Sequence, residues 1–315
     1  MKSHSMKTVD HVKIWQGMKA AELVNEFSKS GVMGAGRVAK ASEIYSKMLN
    51  DKECKIFLGQ AGAMVPGGMK EIIIDMIRNH YIDVFVTTGA TLTHDLVEAL
   101  GYHHYKGSDN VNDEELHKEK IDRMFDSYMP NEVYEGMEDF ITKNFDSLAE
   151  KETIKDFIWE IGKLLPKGKD SILRAAYEEK IPIFCPAISD SGIGLMIWGR
   201  IANGKKIKTN AFEDLKEILD MAWTAKKSGV FYIGGGVPKN FIQQAMQFAP
   251  EAASYGIQVT MDRPEPGGSS GAELKEGISW GKMNPQGDFT DVICDSTIAL
   301  PLIYAAVKDK NILRK

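Results

Sequence analysis

Six short apolar runs, each closing on a glycine or on a small or polar residue, set the main limit on how this chain can fold. They lie at 54–59, 82–89, 181–185, 230–234, 256–260 and 291–295. Cys54-Lys55-Ile56-Phe57-Leu58-Gly59 shows the type. Runs so short and so continuously apolar read as strands buried on both faces. Between them, apolar residues recur at helical spacing, at 69–80, 93–100 and about 152–163, 168–179, 191–202, 212–226 and 238–248. Strand and helix in alternation imply an α/β fold, a parallel sheet with helices on both faces. In open sheets of this kind, ligands collect outside the carboxyl ends of the strands.

The 315 residues are expected to form a single domain, 1–315, with a short N-terminal helical arm over about 1–30. That arm contains an amphipathic pattern at 18–27. The segment from about 106 to 151 is charged and helix-rich with no clear strand, and reads as a helical insertion. A net charge of -5 with dispersed basic residues argues against a nucleic-acid binder. Cys54, Cys185 and Cys294 lie far apart in or beside apolar runs, as buried thiols of a reducing compartment do. His103 and His104 are adjacent, so they do not face one way on a helix, and no metal site is expected. No apolar stretch approaches the roughly 20 residues that span a bilayer. The start Met1-Lys2-Ser3-His4-Ser5 is polar, unlike a secretion signal. The cytoplasm is the expected location.

Gly34-Ala35-Gly36-Arg37-Val38-Ala39 matches the dinucleotide pattern G-x-G-x-x-A. It follows a helical pattern rather than a strand, so a loop between two helices is the expectation. Gly59-Gln60-Ala61-Gly62-Ala63 has the right context, between strand and helix. It suits either close backbone approach to a cofactor phosphate or a tight turn. Thr87-Thr88-Gly89-Ala90 ends the next strand, and Thr93 is expected to cap the helix after it. His94, beside it, either faces a ligand or pairs locally. Gly234-Gly235-Gly236 implies close approach by a ligand or a neighbouring segment. Asp190 and Asp295 each follow a strand and suit a ribose hydroxyl or a helix cap.

A glycine-rich stretch, Gly267-Gly268-Ser269-Ser270-Gly271-Ala272, runs on to Ile278-Ser279-Trp280-Gly281-Lys282. A lysine in that setting is a candidate for a desolvated amine, whose lowered pKa would let it attack carbonyls and imines. Trp280 can lie over a cationic amine. Glu276 precedes it by four residues and could hold an ammonium or move a proton.

Together these pieces resemble the deoxyhypusine synthase family over nearly the whole chain. The resemblance rests on Phe57-Leu58-Gly59, the run 83–88, Asp95-Leu96, Pro186-Ala187-Ile188-Ser189-Asp190, the glycine triplet and Ser279-Trp280-Gly281-Lys282. It implies a Rossmann-like fold assembled as a homotetramer, with NAD near a subunit interface. It implies a transferase in which Lys282 captures an aminobutyl imine derived from spermidine and passes it to an acceptor amine. Glu276 and Trp280 would belong to the amine pocket. Thr88, Gly89, His94, Asp190, Gly235, Gly236 and Asp295 would face the cofactor, with Gly62 and Ala63 in the loop beside it.

Four positions depart from the family pattern. Its glycine triplet leads to Lys-His-His, but here Lys239 is followed by Asn240 and Phe241. Leu195 and Ser269 stand where the family carries polyamine-binding aspartates. Asn240, Ser269 and Leu195 are therefore the candidate substrate-binding positions of an altered pocket. Each lost charge-assisted hydrogen bond removes roughly 1.5–3 kcal/mol of recognition. The expected acceptor is a small polyamine giving a homospermidine-type product. A lysine of a translation initiation factor is the alternative. An NAD-dependent dehydrogenase without a covalent lysine, or a non-catalytic NAD- or polyamine-binding homologue, stands outside that class.

Overall fold

The computed structural model describes residues 7–314. The first residues of the expected arm, 1–6, lie outside that range. In chain order the elements are α1 (Ala20–Ser30), α2 (Met33–Asn50), β1 (Cys54–Gln60), α3 (Lys70–Arg78), β2 (Val84–Thr87), α4 (Gly89–Ala99), β3 (Tyr105–Lys106) and α5 (Asp113–Lys118). There follow β4 (Ile121–Met124), β5 (Ser127–Pro130), α6 (Glu132–Ala149), α7 (Ile154–Leu164), α8 (Ile172–Glu179), β6 (Ile183–Phe184), α9 (Gly192–Ala202) and α10 (Ala211–Thr224). The chain closes with β7 (Lys227–Ile233), α11 (Gly236–Phe248), β8 (Ala253–Thr260), a 3-10 helix (Leu274–Ile278), β9 (Met283–Ile293) and α12 (Ser296–Lys308).

All six apolar runs are strands of one parallel sheet, in the order β6-β2-β1-β7-β8-β9. Alternation along each strand separates two cores. Phe57, Val84, Val86, Val230 and Tyr232 face one layer, which α10 and α11 cover. Ile56, Leu58, Phe85, Phe231 and Ile233 face the other, where residues of α2, α3, α4 and α12 pack. Both faces are apolar because both are covered. The chain steps outward from β1 to β2 and β6, then returns to β7 on the opposite side of β1. The crevice between the carboxyl ends of β1 and β7 is thus the switch point of the sheet.

Three local expectations are corrected. The Gly34–Gly36 stretch is not a loop: it forms the first turn of α2. A side chain at Gly36 would fall 2.4 Å from the Gly31 carbonyl carbon, so its smallness serves the tight α1–α2 turn. Thr93 does not cap α4. The helix starts four residues earlier, where Thr88 Oγ1 accepts from Thr91 N at 3.2 Å. Thr93 is buried, and its Oγ1 accepts from Ile193 N at 3.2 Å. The 106–151 segment carries α5 and α6, but also most of an antiparallel sheet, β3-β5-β4. Its strands are two to four residues long and largely uncovered, so they leave no apolar run to read. No helix among the described residues is long and apolar enough to cross a membrane.

Two buried acids tie the helical layer together. Asp95 on α4 accepts from Ile172 N and Leu173 N, both at 2.9 Å, and so satisfies the first amides of α8. Asp214 on α10 does the same for Ile154 N and Lys155 N of α7, at 3.0 and 3.1 Å. Such amides have no partner inside their own helix. Burial pushes the Asp95 carboxyl up from 3.8 to about 7 in spite of these bonds. A pKa raised on folding means a contribution complete below about pH 4 and lost as pH rises through the folded value. Asp95→Asn is expected to flatten the fall in stability over that window, read as the urea midpoint against pH. Asp95→Ala, which orphans both amides, is expected to lose about 2–4 kcal/mol. An unchanged slope in the first variant would contradict the assignment.

Candidate active site

Where β7 ends, the glycine triplet lets another segment lie directly on the backbone. Gly234 and Gly236 have φ of 71° and 59°. A side chain on Gly235 would sit 2.3 Å from Ser270 Cα, and Gly236 N donates to Ser270 Oγ at 2.9 Å. The approaching segment is therefore the loop after β8, not a ligand alone.

Lys239, one turn into α11, pins the same loop. Its side chain reaches Ser269 O and Ala272 O, donating to both at 2.6 Å, and the residue is only 4% exposed. Gln258 Nε2 adds a bond to Ala272 O at 3.1 Å. The loop then enters the 3-10 helix, where Leu274 N donates to Asp291 Oδ1 at 3.1 Å. Lys282 N closes back on Gly277 O at 2.8 Å, with Gly281 at φ 69° making the turn.

The result is a pocket of about 340 Å³ whose lining includes Lys239, Asn240, Ser269, Glu276, Trp280 and Lys282. Lys282 Nζ stands 4.8 Å from the centre of the Trp280 ring. Glu276 lies in the 3-10 helix and is exposed. The sequence pointed to all of these except Lys239. Lys282 is half-buried and Trp280 is 56% exposed, so the single chain leaves this pair open. The desolvated amine of the pocket is Lys239. Burial takes it down from 10.5 to about 8, the charge of Lys282 acts in the same direction, and Asp291 and Glu276 oppose. Burial also raises the Asp291 carboxyl to about 6. Nothing in the local sequence Val237-Pro238-Lys239-Asn240-Phe241 marks Lys239 as buried.

A shallower cavity shares Asn240, Gln244 and Ser269 with this pocket and reaches Pro186. Leu195 is not in the pocket of Lys282. It is 58% exposed and lines an apolar groove of about 560 Å³ with Trp198 and Ile201, which Pro186 also borders.

The remaining candidates share one edge because the strands are parallel. Gly62, at φ 81°, and the exposed Ala63 follow β1. Thr88 and Gly89 follow β2, the exposed Asp190 follows β6, and the exposed Asp295 follows β9. Some are also engaged by the protein itself. A side chain on Gly89 would lie 2.5 Å from Ser191 Cβ. Asp295 caps α12 by accepting from Thr297 N at 2.6 Å. His94 pairs locally: its Nδ1 is 2.9 Å from His104 Nε2. Among the described residues, no group of His, Cys, Asp and Glu is arranged to hold a metal.

The family model described as deoxyhypusine synthase matches residues 22–307. A "Probable deoxyhypusine synthase 1" of Methanosarcina mazei is 46% identical over 303 residues, covering 96% of this chain and 95% of that protein. Its counterpart of the same description in Archaeoglobus fulgidus is 40% identical over 298 residues, covering 95% and 97%. The crystal structure of a candidate deoxyhypusine synthase from Entamoeba histolytica shares the fold, with a TM-score of 0.66 at 20% identity, covering 93% of this chain and 94% of that one.

Lys239→Met would strip Ser269 O of its side-chain donor and leave Ala272 O with Gln258 Nε2 alone, a loss of about 2–3 kcal/mol. Faster limited proteolysis within 261–273 and a lower thermal midpoint are expected. Wild-type cleavage kinetics would show that the clamp does not hold the loop.

Proposed function

This chain belongs to the deoxyhypusine synthase family, and from that premise we propose an NAD-dependent transferase that moves an aminobutyl group from a polyamine, through an imine on Lys282, to an amine acceptor. The observation that carries the reading is the single pocket shared by Lys282, Trp280 and Glu276. An amine donor that enters as a cation meets the Trp280 face and the Glu276 carboxylate. Lys282 attacks the imine carbon, and the departing amine leaves as diaminopropane. The acceptor amine then displaces Lys282. Each exchange needs proton movement at nitrogen, which Glu276 is placed to assist. Lys239 keeps the loop wall in position while these exchanges occur.

The edge of the sheet fits a dinucleotide. A side chain at Gly62 or Gly236 would meet nothing within 4 Å, so the backbone there is open to a ligand. The N-termini of α4, α9, α11 and α12 all sit at the same edge, where the amides not taken by Thr88, Ser191, Ser270 and Asp295 favour phosphate. Thr88, Gly89, His94, Asp190, Gly235, Gly236 and Asp295 would hold NAD there, with Gly62 and Ala63. When bound, NAD supplies the hydride acceptor and donor.

For the acceptor we favour a small diamine, giving a homospermidine-type product. Asn240, Ser269 and Leu195 offer neither the imidazole nor the two carboxylates of the family pattern. The descriptions of the archaeal relatives favour a second reading, with a lysine of an initiation factor as acceptor. We also infer a homotetramer. The exposed Leu195, Trp198 and Ile201 supply an apolar face that a neighbouring copy would cover, and closure there would enclose the open site.

The test is incubation with NAD and spermidine, with either putrescine or the cognate initiation factor added, and mass analysis of the products. Diaminopropane together with homospermidine is expected, and Lys282→Ala is expected to reduce both by at least about 10³-fold. A mass gain on the initiation factor alone would select the second reading. Hydride transfer that survives Lys282→Ala would instead indicate a plain dehydrogenase.

A further inference from the structure

α3 and α4 leave the carboxyl ends of β1 and β2, and a file of four ionisable side chains joins them. Lys70 Nζ donates to Glu98 Oε2 at 2.6 Å. Glu98 Oε1 lies 2.8 Å from His104 Nδ1, and His104 Nε2 lies 2.9 Å from His94 Nδ1. The two imidazoles meet edge-on, with ring centres 4.9 Å apart. The His104 side chain is 6% exposed, Lys70 17% and Glu98 19%. The file is therefore largely shielded from water along its length.

The chemistry of the partners fixes the protons. Burial alone would raise the Glu98 carboxyl, yet the bonds from His104 and Lys70 hold it below its ordinary value. A carboxylate can only accept, so His104 Nδ1 carries the hydrogen. A neutral His104 then offers a lone pair at Nε2, and His94 Nδ1 must donate to it. That leaves His94 Nε2 bare, with no hydrogen-bond partner among the described residues. His94 stands four residues along α4 from the exposed Ala90, on the stripe that starts where β2 ends. The other charges bearing on the file are Asp95, wholly buried, and Glu71, 4.0 Å from Lys70 Nζ. Burial and the neighbouring His104 lower His94 to about 4, so the two rings do not both become cations.

We propose that His94, His104 and Glu98 form a proton relay that opens at the cofactor edge of the sheet. His94 Nε2 takes a proton from a bound ammonium group. The Nδ1 proton of His94 passes to His104 Nε2, and the resulting imidazolium is held against the Glu98 carboxylate. One proton enters, the positive charge comes to rest on His104, and the reverse steps return it. The relay suits amine oxidation. A secondary amine is an ammonium near neutral pH and must lose one N–H proton before a hydride can leave the neighbouring carbon. The identity of that donor rests on the transferase reading, whereas the relay itself does not. His104 and Glu98 are positioning residues, because they act through His94.

Two measurements test it. Long-range proton–nitrogen correlation spectra of histidine-labelled protein read the tautomers without any activity. His94 is expected as the Nδ1–H tautomer with Nε2 bare, and Glu98→Gln is expected to mix the tautomers. An Nε2–H tautomer in the wild type would overturn the relay. The second is NADH formation from spermidine across pH. His104→Gln can keep both hydrogen bonds but cannot carry a proton. It is expected to lower kcat about 10²-fold, to shift the acidic limb of the profile and to leave KM for NAD unchanged. Imidazole is expected to restore part of the rate in His94→Ala. Wild-type rate and profile in both variants would overturn the relay. Absence of NADH from the wild type as well would count against the transferase reading, and the tautomer spectra would then decide the relay alone.

Discussion

The pairing of β1 with β7 is the contact on which the rest of the molecule depends. It runs in register from Cys54 opposite Lys227 to Gln60 opposite Ile233. Because the strands are parallel and buried on both faces, a slip by one residue would turn every side chain into the wrong layer. Phe57 and Tyr232 would leave one core, and Leu58 and Phe231 the other. The register also sets the height at which the chain leaves the sheet. Ala61 N donates to Ile233 O at 2.9 Å and Gly234 N to Val259 O at 2.8 Å, so the loop of Gly62 and the glycine triplet emerge side by side. The switch point and the pocket of Lys282 are consequences of that geometry.

The second organising element is charge placed where water is scarce. Lys239 is buried with two carbonyls and, among the described residues, no ion pair, which is expensive for an ammonium and explains its lowered pKa. It holds the loop that carries Ser269 and Ser270, and it brings a second amine close to Lys282. The Lys70–Glu98–His104–His94 file does the comparable task on the other side of the switch point. One side of the crevice thus carries two lysines, and the other a file of a lysine, a carboxylate and two imidazoles.

Much of this is legible in the sequence. The strands of the main sheet were legible because burial on both faces leaves continuous apolar runs. The helices packed on them were legible through their periodicity. The small β3-β5-β4 sheet was not, because stretches such as Ile121-Asp122-Arg123-Met124 pack against little and mix charge with apolar residues. Thr88 and Thr93 are both threonines near a helix start, so sequence does not separate them as caps, and only the fold shows Thr93 bonded across to α9. In the site, Lys282, Trp280, Glu276, Asn240 and Ser269 do converge on one pocket. Leu195 does not, since α9 points it into the apolar groove. Lys239 is not legible as a site residue, because nothing local distinguishes a buried lysine from an exposed one; its burial depends on a loop 30 residues away in sequence. The His94–His104 bond likewise joins residues that no helical spacing brings together.

The central claim is that Lys282, rather than the more deeply buried Lys239, is the amine that becomes covalently linked to the donor. Borohydride reduction of the protein incubated with NAD and spermidine, followed by peptide mass analysis, tests this directly. The account predicts a stable aminobutyl addition on the peptide containing Lys282 and none when NAD is omitted. An addition on Lys239 instead, or no addition on any lysine while NADH still accumulates, would contradict it.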